Sequence, residues 1–334
     1  MAQILVIGAG LAGCTVAKQL ADHGSSVILI EKSHHIGGKV INYGCKAIEQ
    51  CQNCGVCLTG KLWQNVSDHP RIQIMFNTII EDVTGKQGDF TVSIKRNDPD
   101  KSPEYLLLYN ITYIAVCTGF ENQPNNKSSH LHIEGTAGII TGSQIEEIML
   151  NRTSTVLFEK TPENIAFIQC VGSRDQNENG LYCSRVCCSY STRAAKVIRQ
   201  YYPECKITFF YMELQNVESG NYYAGLQKLG IEFIECRPLK ITGGNPVILE
   251  YDEPGKGIKT DSFDFIIFSE GIRAGTDNDR IAEILNLDQD KNGFLHNLNT
   301  DSGIYITGCV KSPMKIDETH ADAISTANKI ILSF

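Results

Sequence analysis

The chain has 334 residues, room for two compact domains of about 100–200 residues each. Hydrophobic residues make up 42% and charged residues 20%, the composition of a globular protein with a sizeable core. The formal charge of −8 argues against nucleic acid or an anionic membrane as partner, since both call for Lys/Arg stripes.

Taken in chain order, Ile4-Leu5-Val6-Ile7 is a short apolar run that leads directly into Gly8-Ala9-Gly10-Leu11-Ala12-Gly13. Val16, Ala17, Leu20 and Ala21 then recur at helical spacing up to Gly24, and a second apolar run, Val27–Ile30, ends at Glu31. This is a β-α-β unit. Residues 40–65 read as irregular and cysteine-rich. Alternation at 72–76 and 89–95 predicts antiparallel strands attached to a mainly parallel sheet, and Tyr113–Val116 predicts a buried strand. A polar stretch from about 120 to 135 reads as a hinge or loop. A second α/β pattern follows. It has strands at Ile165–Ile168, Lys206–Tyr211 and Phe263–Phe268 and a helix at Ser189–Tyr201; a last strand at Ile304–Thr307 and a helix from Glu318 to about Leu332 close the chain.

The chain starts in a strand-like run without the charged and apolar regions of a secretory leader, and no apolar stretch approaches the ~18 residues of a membrane helix. A cytoplasmic protein without direct membrane insertion is therefore expected. Its thirteen cysteines are expected as thiols, metal ligands or redox groups rather than disulfides.

The glycine motif matters because of its setting between a strand and a helix, with Glu31 downstream. Gly8 permits the turn, Gly10 lets the backbone approach a pyrophosphate, and Gly13 lets the helix pack closely. The N–H groups of Leu11, Ala12 and Gly13 would face the phosphates, with Glu31 and Lys32 at the ribose end. Gly37-Gly38 extends this into a pattern that resembles the adenosine site of two-dinucleotide-binding-domain flavoproteins, which bind FAD. Tyr113–Gly119 resembles the family's strand that ends in a Thr-Gly turn, here Thr118-Gly119. Gly303–Gly308 resembles the C-terminal segment that brings a helix N-terminus to the flavin, although the family usually has Asp after that glycine, where this chain has Cys309.

Two cysteine groups stand out. Cys45, Cys51, Cys54 and Cys57 lie beside this segment, and Cys51-x2-Cys54-x2-Cys57 has the spacing with which thiolates reach neighbouring corners of an iron–sulfur cube. A flavin-facing dithiol and a zinc site are the competing readings. The second group is Cys170, Cys183, Cys187 and Cys188; its adjacent pair falls at a loop-to-helix junction, where the helix end favours thiolates. Cys170-x-Gly172-Ser173-Arg174 stands where a nicotinamide-binding half would carry its glycine motif, so the second domain is expected to be degenerate for NAD(P)H.

Gln169-Cys170-Val171-Gly172-Ser173-Arg174-Asp175 and Tyr182-Cys183-Ser184-Arg185-Val186-Cys187-Cys188, with Thr307-Gly308-Cys309, Lys311-Ser312-Pro313 and Lys315-Ile316 in the tail, resemble the A-subunit family of heterodisulfide reductase. The resemblance implies a thioredoxin-reductase-like α/β flavoprotein with two dinucleotide-type domains, parallel sheets and helices on both faces. It implies FAD in a discontinuous domain, 1–124 with 274–334, into which the cysteine-rich segment 42–62 is inserted. A degenerate domain, 125–273, would carry a 4Fe-4S cluster on Cys170, Cys183, Cys187 and Cys188, with a second cluster approached by the 45–57 cysteines. It further implies a homodimer working with B and C subunits or other electron-transfer proteins, in the compact form of bacterial sulfur-oxidising complexes or of related quinone-interacting and aromatic-ring-reducing ones. The expected role is electron transfer between FAD, clusters and partners. The alternative is an NAD(P)H-dependent flavin disulfide reductase using Cys45 and Cys51.

Overall fold

The computed structural model describes residues 2–122, 131–153, 156–175, 180–215, 222–299 and 301–334. Residues 123–130, half of the polar stretch read as a hinge, and the domain boundary placed at 124/125 lie outside the described residues. The chain forms two compact units: Met1–Ile41, Gly55–Glu121 and Ala274–Phe334 make the first, Asn42–Cys54 and Asn122–Arg273 the second.

The first unit is built on a five-stranded parallel sheet in the order Ile304–Ile306, Tyr113–Val116, Gln3–Ile7, Ser26–Ile30, Ile72–Met75. Strand residues alternate between two cores, as a period of two requires. Ile4 and Val6 pack with the helices Leu11–Asp22 and Ile316–Ile331, while Leu5 and Ile7 pack with helix Asn278–Leu285 and an antiparallel meander. That meander comprises Thr78–Lys86, Asp89–Arg96 and Glu104–Ile111. Of the two stretches expected to be antiparallel, only the second is. Ile72–Met75 instead pairs parallel with Ser26–Ile30, because a four-residue edge strand carries too little pattern to reveal its direction. Residues 40–65, expected to be irregular, also contain a helix, Thr59–Ser67, that buries Leu62 and Val66.

The second unit repeats the arrangement. Its parallel sheet runs Ile139–Ile140, Phe265–Glu270, Asn164–Val171, Lys206–Tyr211, Ile231–Glu235. Phe167 and Phe209 stack across neighbouring strands at 4.6 Å and meet Ala194 and Ile198 of helix Cys187–Tyr201 on one face. Ile168, Phe210 and Phe268 meet a four-stranded sheet on the other. The fold is mixed α/β with parallel sheets. No helix among the described residues is long and apolar enough to cross a membrane.

Candidate functional site

In the first unit, strand Gln3–Ile7 ends at Gly8, whose φ of +100° belongs to the left-handed region and whose Cβ would lie 2.6 Å from the Cys117 carbonyl oxygen. A Cβ on Gly13 would sit 1.8 Å from the Gly8 oxygen, so the helix starts in direct contact with the turn. Gly10 is different. Its Cβ would meet only the Gly38 Cα, at 3.9 Å, leaving the space over the helix start open. The Cys14 N–H takes the Gly10 carbonyl, which leaves the first-turn N–H groups of Leu11, Ala12 and Gly13 ahead of the helical ladder. The Glu31 carboxylate is 8% exposed; it accepts from the Ala9 N–H at 2.7 Å and from the Ser33 N–H and hydroxyl at 2.9 Å each. Two carboxylate oxygens have about four acceptor positions, so capacity for a ribose hydroxyl remains. Lys32 is tied to Asp277 at 2.8 Å. The Thr118 hydroxyl is buried without a hydrogen-bond partner among the described residues, next to Gly119 at φ +79°. An open cradle over a helix N-terminus, an unspent acceptor and an orphaned hydroxyl fit a dinucleotide.

The C-terminal segment adds a residue that the sequence reading missed. Asp322, on helix Ile316–Ile331, accepts from the Thr307 hydroxyl at 2.7 Å and the Gly308 N–H at 2.8 Å, and pairs with Lys311 at 2.8 Å. Cys309 spends its thiol inside the turn, 3.5 Å from the Met314 carbonyl and 3.6 Å from the Thr319 hydroxyl, and burial raises its pKa. Ile316 opens the helix and packs on the first core, while Asp317 and Glu318 in the first turn offset part of its positive end.

The four cysteines of the second group gather in the second unit. Cys170 lies at the irregular end of strand Asn164–Val171, with a left-handed φ of +60°. Cys187 and Cys188 form the first turn of helix Cys187–Tyr201, walled by Tyr190, Leu214 and Tyr223. Cys187 hydrogen-bonds both Cys170 and Cys188, and Cys183 is in electrostatic range of Cys170 and Cys188. Cys187 is the donor in both bonds. Its bonds to the neighbouring sulfurs hold it well above the usual thiol range, whereas the Cys187 bond lowers Cys170 and brings Cys188 down to about 7. Burial raises Cys183, whose sulfur accepts from the Arg185 N–H at 3.3 Å, with Arg185 at φ +63°. Hydrogen bonds between Tyr182 and the Ile272 carbonyl, and between Ser184 and the Ile272 N–H, brace this loop at 2.9 Å each. Among the described residues, no three His, Cys, Asp or Glu side chains converge as ligands of one metal ion. A cube asks for something else: each thiolate holds its own corner, so the four sulfurs gather without sharing a centre. All thirteen cysteines are free, and the donor set fits a cluster.

The first group is divided. Cys45, Cys51 and Cys54 belong to the second unit and Cys57 to the first. Cys45 and Cys51 are exposed; each sulfur accepts a backbone N–H two residues on, from Ala47 and Asn53, both at 3.4 Å. Asn53 has φ +49°, so Cys51 repeats the turn seen at Cys183. Between these thiols Lys46 is buried, forming a 2.5 Å ion pair with Glu146 of helix Gly142–Asn151 and donating to the Gly44 carbonyl. Cys51 opens on a cavity of about 380 Å³ also lined by Arg193 and Lys196.

Residues 6–77 match the model of an NAD(P)-binding Rossmann-like domain. Over 96% of its length the chain is 24% identical to the A subunit of the ferredoxin:CoB-CoM heterodisulfide reductase of Methanosarcina acetivorans, covering 55% of that protein. It is 25% identical, over 97% of its length, to an iron-sulfur A subunit of the CoB-CoM heterodisulfide reductase of Methanopyrus kandleri, covering 63% of that protein. The chain thus spans little more than half the length of these curated relatives. Among solved structures it is similar to the thioredoxin reductase of T. acidophilum, with a TM-score of 0.66 at 17% identity, covering all of this chain and 99% of that one. By sequence the chain is similar to the heterodisulfide reductase A subunits, and its fold is similar to that of thioredoxin reductase.

Proposed function

We propose that the chain is an FAD- and iron–sulfur-containing electron-transfer subunit of a heterodisulfide-reductase-like complex. The observation that carries this reading is the gathering of Cys170, Cys183, Cys187 and Cys188 at the end of one parallel strand and the start of one helix. FAD, when bound, supplies the exchange between two-electron and one-electron chemistry, and clusters carry single electrons. The chain's own residues hold and orient. Gly10, with the N–H groups of Leu11, Ala12 and Gly13, receives the pyrophosphate; Glu31 takes the ribose and Thr118 offers a donor. The four thiols of the second group ligate a 4Fe-4S cluster. The shared turn at Cys51 and Cys183 supports a second one on Cys45, Cys51, Cys54 and Cys57. Substrate chemistry falls to B- and C-like partner subunits or other electron-transfer proteins, with the chain itself a cytoplasmic homodimer.

Iron, acid-labile sulfide and flavin, determined per chain under anaerobic conditions in wild type and in a Cys187→Ala/Cys188→Ala variant, test this. The variant is expected to lose iron and visible thiolate-to-iron absorbance while keeping FAD. Iron unchanged in the variant refutes the ligand assignment. FAD without any iron in wild type favours the disulfide reductase, for which the exposed thiols of Cys45 and Cys51 are suited.

A further inference from the structure

The second cysteine group lies against two arginines that the sequence holds far apart. Arg174 follows strand Asn164–Val171, and Arg237 follows strand Ile231–Glu235. Both reach the cysteine loop. Arg237 donates to the carbonyls of Ser173 at 3.4 Å and Arg174 at 3.1 Å, and each arginine is in electrostatic range of Cys170.

Their side chains are only 27% and 29% exposed, so their charge needs a counter-charge close by. The carboxylates on hand serve poorly. Glu213 meets Arg174 at 2.9 Å but is itself 57% exposed, where an ion pair contributes little. Asp175 stands 3.8 Å from Arg237, beyond hydrogen-bond reach. Arg174 Nη1 and Arg237 Nε are buried donors with no hydrogen-bond partner among the described residues. Positive charge and unspent N–H groups therefore lie beside the cysteine loop: both arginines are in electrostatic range of Cys170, and Arg174 also of Cys183 and Cys188. A cube on four thiolates is a dianion when oxidised and a trianion when reduced. Nearby cations and donors favour the more negative form and so raise the potential.

We propose that Arg174 and Arg237 set the reduction potential of the cluster on Cys170, Cys183, Cys187 and Cys188, making it the centre in this chain that draws electrons in. This rests on the cluster assignment above but is tested apart from it. Arg237→Gln keeps a side-chain donor for the carbonyls and removes the charge; Arg174→Gln does the same at the other position, and Arg237→Lys keeps the charge.

The measurement is an anaerobic potentiometric titration with dithionite, following the electron paramagnetic resonance signal of the reduced cluster, with iron and flavin counted in each sample. At a fixed potential each Gln variant is expected to show a reduced-to-oxidised ratio about tenfold lower, a downward shift of about 59 mV for one electron. The double variant should move further, Arg237→Lys should stay near wild type, and the flavin potential should not change. Wild-type potentials in both Gln variants with iron retained would overturn the proposal. So would loss of iron from both, which makes the arginines braces of the loop. Wild-type protein without iron would instead refute the proposed function.

Discussion

Asp322 shows how one carboxylate can hold a nucleotide segment in place. Burial disfavours its charge, but the Lys311 ammonium, the Gly308 N–H and the Thr307 hydroxyl together outweigh that and leave its pKa below the usual carboxylate range. A carboxylate depressed on folding contributes stability above its unfolded value of about 3.9, lost as pH falls through the lower folded value. The thermal midpoint of Asp322→Asn protein should accordingly lie below wild type near neutrality, and the gap should close as pH drops below about 4. Thermal unfolding of both proteins across that range measures it; a gap that does not change with pH would show that shape, not charge, is what Asp322 supplies. Nothing local announces this residue. Asp322 faces Thr307 and Gly308 only because the final helix folds back along its own leading turn, whereas Gly8, Gly10 and Gly13 are legible because their task is carried within six residues.

The segment Asn42–Cys54 poses the same question for an element. It lies next to the FAD motif in sequence, yet its contacts belong to the second unit. The Lys46–Glu146 pair is one fastening, with side chains 3% and 8% exposed, and the bond from Arg152 to the Ala47 carbonyl at 2.9 Å is another. A third is Gly44, where a Cβ would fall 2.2 Å from the Met149 backbone. Breaking a buried pair strands a charge, at a cost of about 3–5 kcal/mol, while replacing both members with apolar groups is often neutral. Glu146→Leu alone should therefore lower unfolding stability by that amount, and Lys46→Met combined with Glu146→Leu should recover most of it. Urea denaturation of the three proteins decides the matter, and a double variant as unstable as the single one would count against the pair as the fastening. Strands that are largely apolar runs, such as Lys206–Tyr211 and Tyr113–Val116, are readable from their own residues. A contact across a hundred residues between one lysine and one glutamate leaves no such pattern.

At the scale of the molecule, two units share one sheet plan but diverge where a nucleotide's phosphates would lie. In the first, Gly8-Ala9-Gly10 alone separate the strand from the helix, and the space above Gly10 is open. In the second, fifteen residues, 172–186, separate strand Asn164–Val171 from helix Cys187–Tyr201. That helix's first turn is taken by Cys187 and Cys188, and the Gly172 and Ser173 carbonyls are tied to Arg273 and Arg237 at 3.2 and 3.4 Å. A dinucleotide pyrophosphate needs a short glycine turn and free first-turn N–H groups at the end of the strand. The second unit offers sulfur and arginine in that place. NADH and NADPH should thus reduce the bound flavin far more slowly than dithionite does, without saturating as their concentration rises. Anaerobic stopped-flow bleaching of the flavin band, with each reductant over a concentration series, reads this directly. A fast phase that saturates with either nucleotide would mean that the second unit still binds it, and electron entry through partner proteins would lose its physical basis.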